Sequence, residues 1–127
     1  MNLEKIIFGF FIVLAATLNF GFFIGEMNDP THHDIYELFA AIVVSLIATL
    51  LKLGDRTQIG SIHLSTSLVA DLQLLAAAMV WAYGTHVVGD GMTPERIASV
   101  VSLSGGALFA NVVSVIILIA ETIMQRR

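Results

Sequence analysis

The chain has 127 residues, a formal net charge of −4 and no cysteine. Hydrophobic residues make up 57% of it and charged residues only 13%, whereas an average soluble domain is about 25% charged. This composition excludes a soluble globular domain. The negative charge argues against nucleic-acid binding, and the lack of cysteine excludes disulfides, thiolate metal sites and cysteine catalysis.

Four apolar runs are each long enough to cross a hydrocarbon core of about 30 Å as a helix, which takes about 20 residues. They predict an all-α fold, an integral membrane four-helix bundle made of two helical hairpins. A single transmembrane domain, 1–127, would hold all four. The predicted helices cover 4–25, 30–53, 62–88 and 94–124.

The first predicted helix, 4–25, is interrupted only by Thr17 and Asn19 among its apolar residues from 6 to 24. Its apolar core is longer than the signal-peptide core of about 7–15 residues, and no A-x-A cleavage pattern follows it. We therefore interpret it as a retained signal-anchor helix.

The Lys and Arg residues that flank the helices are distributed unevenly. One side of the membrane receives five of them and the other side one: Lys5, Lys52, Arg56, Arg126 and Arg127 against Arg96. Positively charged flanks stay in the cytoplasm. We therefore expect a multi-pass protein of the cell inner membrane with both termini cytoplasmic, and with the connections 25–34 and 89–96 facing outward.

The two outer connections resemble each other, reading GEMNDPTHHDI and GDGMTPERI. Each contains a capping residue followed by proline, Asp29-Pro30 in the first and Thr93-Pro94 in the second. Proline suits the first helical position because its missing N–H would have no partner there. We expect the second and fourth helices to begin at these prolines. Either a repeated hairpin or two independent uses of the same capping chemistry explains the likeness.

The first outer connection is also rich in side chains that bind metals. His33 and Glu37 are four residues apart and would share a helix face, with Glu26 and Asp29 close by in the sequence. Imidazole and carboxylate together suit a divalent transition metal. The alternative is that the acids stabilise a helix start through its dipole. The spacing matches no established metal motif, and we expect no cofactor.

Small residues recur at helical spacing and predict helix–helix contact, because they let backbones approach closely in lipid. The predicted packing residues are Ser102, Gly106, Ala110 and Ser114 on the fourth helix, with Ala78 and Ala82 on the third. The second helix has a series of its own, Glu37, Ala41, Ser45 and Thr49. These contacts could form within one chain or between chains.

Asp71 is a carboxylate in an otherwise apolar run, and its depth decides its role. If the third helix enters the hydrocarbon near Leu64, Asp71 lies well inside and would coordinate a cation or carry a proton. If the helix enters near Leu72, Asp71 is interfacial and serves as a solvated or hydrogen-bonded anchor. A structural hydrogen bond to a group such as Asn111 is a further alternative. Charge buried in lipid is rarely without a function.

Polar side chains on packing faces and acidic outer connections indicate a cation channel or transporter. The predicted ion pathway comprises Asp71, Gln73, Ser67, Asn111, Glu37 and Asn19. Because one chain of this size is too small to enclose a wide pore, we expect a homo-oligomer with the pathway between subunits. The expected partners are the lipid bilayer, further copies of the chain and cations, and no nucleic acid.

The alternative is a non-conducting accessory subunit that docks on a larger membrane transporter through its small-residue faces. An enzyme is not expected, because the sequence has no nucleophile elbow, no Walker glycine loop and no H-E-x-x-H motif. His63 and His86 are single histidines, which we interpret as structural residues at the inner and outer interfaces.

Overall fold

The computed structural model describes residues 3–25, 29–89 and 93–125. These residues contain four helices, each long and apolar enough to cross a membrane, and no strand. The helices are α1 (Leu3–Phe23), α2 (Ile35–Lys52), α3 (Gln58–Ala82) and α4 (Pro94–Gln125), with a 3-10 turn at Pro30–His32 and a π-helical segment at Tyr83–Val88. The predicted all-α four-helix fold is confirmed.

Each helix packs on the two helices beside it, so that α1, α2, α3 and α4 follow one another around a ring. Contacts at both ends of α1 show that it runs antiparallel to α4. Lys5 near the start of α1 pairs with Glu121 near the end of α4, with 2.8 Å between Nζ and Oε2. Gly105 in the first half of α4 lies against Phe23 at the end of α1. The ring encloses one interior.

The fourth helix begins as predicted. Its first residue is Pro94, and the hydroxyl of Thr93 accepts a hydrogen bond from the backbone N–H of Arg96 at 3.2 Å. This satisfies one of the donors that a helix leaves unpaired at its start.

The start predicted for the second helix is wrong. Pro30 begins a 3-10 turn, because the carboxylate of Asp29 accepts hydrogen bonds from both the backbone N–H and the hydroxyl of Thr31 and closes a local turn. α2 begins at Ile35 instead, where the carboxylate of Asp34 caps it by accepting from the backbone N–H two residues on.

The third helix begins at Gln58, four residues before the predicted start. Thr57 is its N-cap, and its hydroxyl accepts from the backbone N–H of Gly60 at 2.9 Å. Asp71 follows Gln58 by thirteen positions, which correspond to about 20 Å of helical rise. Asp71 therefore lies near the middle of the long helical segment formed by α3 and the π-helical turn.

The Thr57 cap leads to a stability prediction. Thr57→Ala removes the acceptor for the Gly60 N–H and is expected to lower the free energy of unfolding by about 1 kcal/mol. Thr57→Ser keeps the hydroxyl and is the matched control. Unfolding by SDS titration from mild detergent, followed by circular dichroism, measures both. Equal stability of the two variants would show that the cap contributes nothing.

The apolar core has two parts. We call the end of the bundle that carries the α2–α3 connection the inner end and the opposite end the outer end, after the predicted orientation. A large cluster toward the outer end includes Phe22, Leu38 and Leu74, and a smaller one near the inner end contains Phe8, Ile12 and Ala48. Between them, α2 and α4 each place a buried polar residue, Ser45 and Asn111, and α1 places buried Asn19 beside residues of the larger cluster. The fold thus positions polar groups in the central part of a membrane-spanning bundle.

Candidate functional site

The carboxylate of Asp71 is held between α2 and α3, and the residue is only 7% exposed. Its Oδ1 accepts a hydrogen bond from the Ser45 hydroxyl at 2.6 Å, and its Oδ2 lies 2.5 Å from the Thr49 hydroxyl. Ser45 and Thr49 are four residues apart on α2, so both hydroxyls project from one face of that helix. The two hydroxyls therefore clamp both oxygens of one carboxylate.

The Thr49 hydroxyl allows this clamp to hold two protonation states. Its oxygen also lies 3.0 Å from the backbone carbonyl of Ser45, and a hydroxyl has a single proton to donate. When Asp71 is ionised, Thr49 donates to the carboxylate. When Asp71 is protonated, its own O–H donates to Thr49, which in turn donates to the carbonyl. The same heavy-atom positions serve both states.

Asp71 has no cationic side chain beside it. The ion pairs found among residues 3–25, 29–89 and 93–125 do not include it. A charge in the membrane interior is costly unless it is paired or hydrated. Two neutral hydroxyls offset only part of that cost, so the site is suited to a proton or a small cation that neutralises the carboxylate.

Several other buried polar atoms in the described residues have no hydrogen-bond partner. Buried polar groups in folded proteins nearly always find one, and internal water supplies it where protein does not. The interior of the bundle is therefore suited to hold water. The atoms are the amide oxygens and nitrogens of Asn19 and Asn111, the hydroxyls of Ser67 and Ser104, Gln73 Oε1 and His63 Nε2.

His63 is buried in the bundle, five residues after the start of α3. It is 1% exposed, and its Nδ1 lies 2.6 Å from the Ser114 hydroxyl on α4. The Phe8 ring packs against the imidazole, with 4.9 Å between ring centroids and an angle of 62° between the ring planes. The signal that could have found His63 is its spacing of four and eight residues from Ser67 and Asp71.

A cavity of about 700 Å³ opens at the inner end of the bundle, and we call it the inner vestibule. Lys5 and Glu121 pair with each other beside it, and Lys52 reaches Asp55 at 3.5 Å. Its charged lining residues are Glu4, Lys5, Lys52, Asp55, Arg56 and Glu121. Three cations and three carboxylates balance, so the vestibule suits water and not a strongly charged ligand.

Two partly buried carboxylates outside the membrane-spanning segments are held in the ionised form. A hydrogen bond from the Thr57 hydroxyl, followed by one from its backbone N–H, lowers the pKa of Asp55, and nearby Lys52 adds to the effect. The Thr31 hydroxyl and N–H lower the pKa of Asp29 in the same way. Asp55 is therefore charged at neutral pH and able to pair with Lys52 at the vestibule.

Three of the four predicted metal ligands, Asp29, His33 and Glu37, lie in the described part of the chain and do not form a metal site there. Among the residues that the structure describes, no group of three His, Cys, Asp or Glu side chains could hold a metal. Asp29 binds Thr31, while the His33 ring turns inward, with its Nδ1 2.5 Å from the carbonyl oxygen of Phe22. Glu37 lies against Gly21 of α1, where a Cβ would overlap its carboxylate. Glu26 is outside the described residues.

The predicted packing series on α4 follows the contact face only in part. Ser114 and Ala110 are buried and Gly106 is partly buried, but Ser102 is exposed. A strict four-residue repeat rotates by about 40° at each step around an α-helix, so the series leaves the face that meets the other helices. The buried face continues through Ser104 instead.

The small residues predicted to pack on α3 lie at the edge of its contact face. Ala78 is partly buried and Ala82 is exposed, and both line a groove of about 340 Å³ that also includes Phe39 and Trp81. The fully buried alanines of α3 are Ala70 and Ala77. On α2, by contrast, the predicted series is buried at Ala41, Ser45 and Thr49, with Glu37 partly buried.

The predicted pathway residues are mostly inside one chain. Asp71, Ser67, Asn111 and Asn19 are buried in the bundle, whereas the expectation was a pathway between subunits. The other two lie apart. Gln73 is partly buried beside Gly106 of α4, and Glu37 is partly buried at the outer end of α2.

Comparison with known families gives one result. Residues 32–122 match the model of a family described as a family of unknown function, DUF6394. The matched region includes the Asp71 clamp and the contact between His63 and Ser114, and it leaves out α1. No curated protein and no solved structure matches the chain.

Proposed function

We propose that this chain, which belongs to the DUF6394 family, moves cations across the cell inner membrane, with Asp71 as the residue that holds the cation. Four helices long and apolar enough to span a membrane make it a small multi-pass membrane protein. One observation carries the proposal. A buried carboxylate near the middle of α3 is clamped by two hydroxyls and has no ion pair among the described residues.

The clamp explains how one site could both bind and release a cation. The site offers oxygen atoms only, which suits a proton or a hard cation. Because Thr49 can donate either to Asp71 or to the Ser45 carbonyl, the carboxylate can gain and lose its partner without rearrangement of the helices. A permanent ion pair with Lys or Arg would prevent this exchange.

The proposed orientation places the inner vestibule in the cytoplasm. Five of the six Lys and Arg residues flank that side of the helices, and such flanks remain cytoplasmic. The outer connections are acidic in sequence, so that they would attract cations to the opposite mouth. Because the buried polar residues lie within one chain, the pathway itself requires no second copy. Assembly into a homo-oligomer remains a separate prediction.

Flux through reconstituted vesicles tests the role of Asp71. Asp71→Asn removes the charge and keeps the shape, and it is expected to lower the flux of the transported cation by about tenfold or more. Asp34→Asn makes the same change at an exposed helix cap, where Asn caps as well as Asp, and should lower flux only slightly, because the other acids of the outer connections remain. Proton, sodium and potassium flux are measured separately with ion-sensitive dyes.

Circular dichroism and size-exclusion chromatography show whether each variant is folded. Wild-type flux in a folded Asp71→Asn protein would contradict the role of Asp71. If the unmodified protein moves none of the three ions and co-purifies with a larger transporter, the accessory-subunit hypothesis replaces the proposal.

A further inference from the structure

We infer that His63 passes protons between the inner vestibule and Asp71, so that the proton is the cation this protein moves. The inference rests on the proposed function, because it requires Asp71 to be the residue that holds the cation. Three observations support the inference: the position of His63, its spacing from Asp71, and the buried polar atoms near His63 that have no partner among the described residues.

His63 lies directly behind the wall of the inner vestibule. Phe8 lines the vestibule, and its ring packs against the imidazole. Lys52, also a lining residue, places its Nζ 4.4 Å from the centre of the same ring. One aromatic ring therefore separates the buried imidazole from the charged, water-accessible cavity.

From His63, polar groups continue along one face of α3 to Asp71. His63, Ser67 and Asp71 are spaced by four residues, and they are 1%, 0% and 7% exposed. Each step corresponds to about 6 Å of helical rise, which is too long for a direct hydrogen bond and suits one bridging water. The Ser67 hydroxyl, midway along this face, is buried and has no protein partner among the described residues.

The chemistry of the imidazole fits transfer in both directions. Its Nδ1 is hydrogen-bonded to the Ser114 hydroxyl, while its Nε2 is buried and has no partner in the described part of the chain. Imidazole can accept a proton at one nitrogen and release another from its second nitrogen. The proton passes through the ring, and the net charge of the ring is the same before and after.

Charged groups of both signs act on His63. Lys52 at the end of α2, Asp55 in the following connection and Glu121 of α4 all act on the imidazole electrostatically, and all three line the inner vestibule. The buried ring therefore lies within electrostatic reach of the charged groups of that cavity.

The kinds of polar side chain along this face of α3 also favour protons over other cations. Sodium and potassium are hard ions that need several oxygen ligands at each position. His63 offers nitrogen, with a single hydroxyl beside it at hydrogen-bond distance. Protons need only donors and acceptors in series, and imidazole, hydroxyl and carboxylate follow one another along this face of α3.

Proton flux into vesicles containing a pH-sensitive dye tests the inference. His63→Gln is expected to lower the proton flux by about tenfold or more, while His86→Gln, the same change at an exposed residue of the π-helical segment, leaves it unchanged. His63→Ala should lose flux and regain part of it when imidazole is added. A purely structural role of His63 would show no such rescue.

Three further results separate this inference from the proposed function. Wild-type proton flux in folded His63→Gln, with flux lost in Asp71→Asn, overturns the role of His63 and leaves the proposed function in place. Sodium or potassium flux that needs Asp71, without any proton flux, overturns the identity of the cation. No flux of any ion overturns both proposals. If the His63 variants do not fold, Ser67→Ala is measured instead. Unchanged proton flux in that variant contradicts proton transfer from His63 past Ser67 to Asp71.

Discussion

Replacing Ser45 with Ala and Thr49 with Val together is expected to lower the free energy of unfolding by about 3–5 kcal/mol. The two changes remove both hydroxyls that clamp Asp71 and leave a buried carboxyl group without a donor. Each single replacement should cost about 1.5–3 kcal/mol, the usual range for a hydrogen bond to a charged group. Unfolding by SDS titration in mild detergent measures all three variants.

Adding Asp71→Leu to the double variant provides the diagnostic comparison. A buried polar network replaced completely by apolar groups often keeps its stability, so the triple variant should recover most of the loss. Thr17→Val is the matched control, since Thr17 is exposed on α1 and donates only to the carbonyl oxygen of Val13. A double variant as stable as the wild type would mean that water replaces the lost hydroxyls, as at an interfacial site.

Gly106→Leu is expected to lower the free energy of unfolding by about 1–3 kcal/mol through overpacking. A Cβ at Gly106 would overlap the side-chain amide of Gln73 on α3. The Gln73 oxygen is buried, so its amide must be displaced from the interface between α3 and α4. Unfolding in detergent measures the cost, and Gln73→Ala in the same chain should recover part of it.

Ser102→Leu is the control for this prediction. Ser102 belongs to the same four-residue series on the same helix but is exposed, so an added apolar side chain would face lipid at little cost. A large loss of stability in both variants would indicate that the whole series packs against protein, for example in an oligomer. A loss in Gly106→Leu alone agrees with the rotation of the series away from the contact face.

The general design of the molecule follows from local sequence properties. Apolar runs of sufficient length cross a membrane as helices because their backbone groups must be paired within the segment, and four such runs predict the four helices. The cap at Thr93-Pro94 marks the start of α4 because capping depends on adjacent residues alone. The series Ala41, Ser45 and Thr49 on α2 was predicted from its spacing of four residues, which is also a local property of the sequence, and it is buried in the structure.

Other features depend on interactions that a linear pattern does not contain. Pro30 does not begin α2, because Asp29 closes a turn on Thr31 and Asp34 caps the helix instead. Ser102 leaves the contact face because rotation accumulates along α4. The burial of His63 depends on Phe8 of α1 and Ser114 of α4, which pack around it.

Asp71 illustrates the difference between what the sequence predicts and what only the tertiary structure shows. Its charge and its place in an apolar run made it a candidate from the sequence alone, because a carboxylate in a membrane helix is costly. Its two donors, Ser45 and Thr49, are on a different helix, and so is the partner of His63. Composition and periodicity determine which segments become membrane helices. The rotation and depth at which those helices pack are set by side-chain fit around one interior, and only the tertiary structure decides which polar groups meet there.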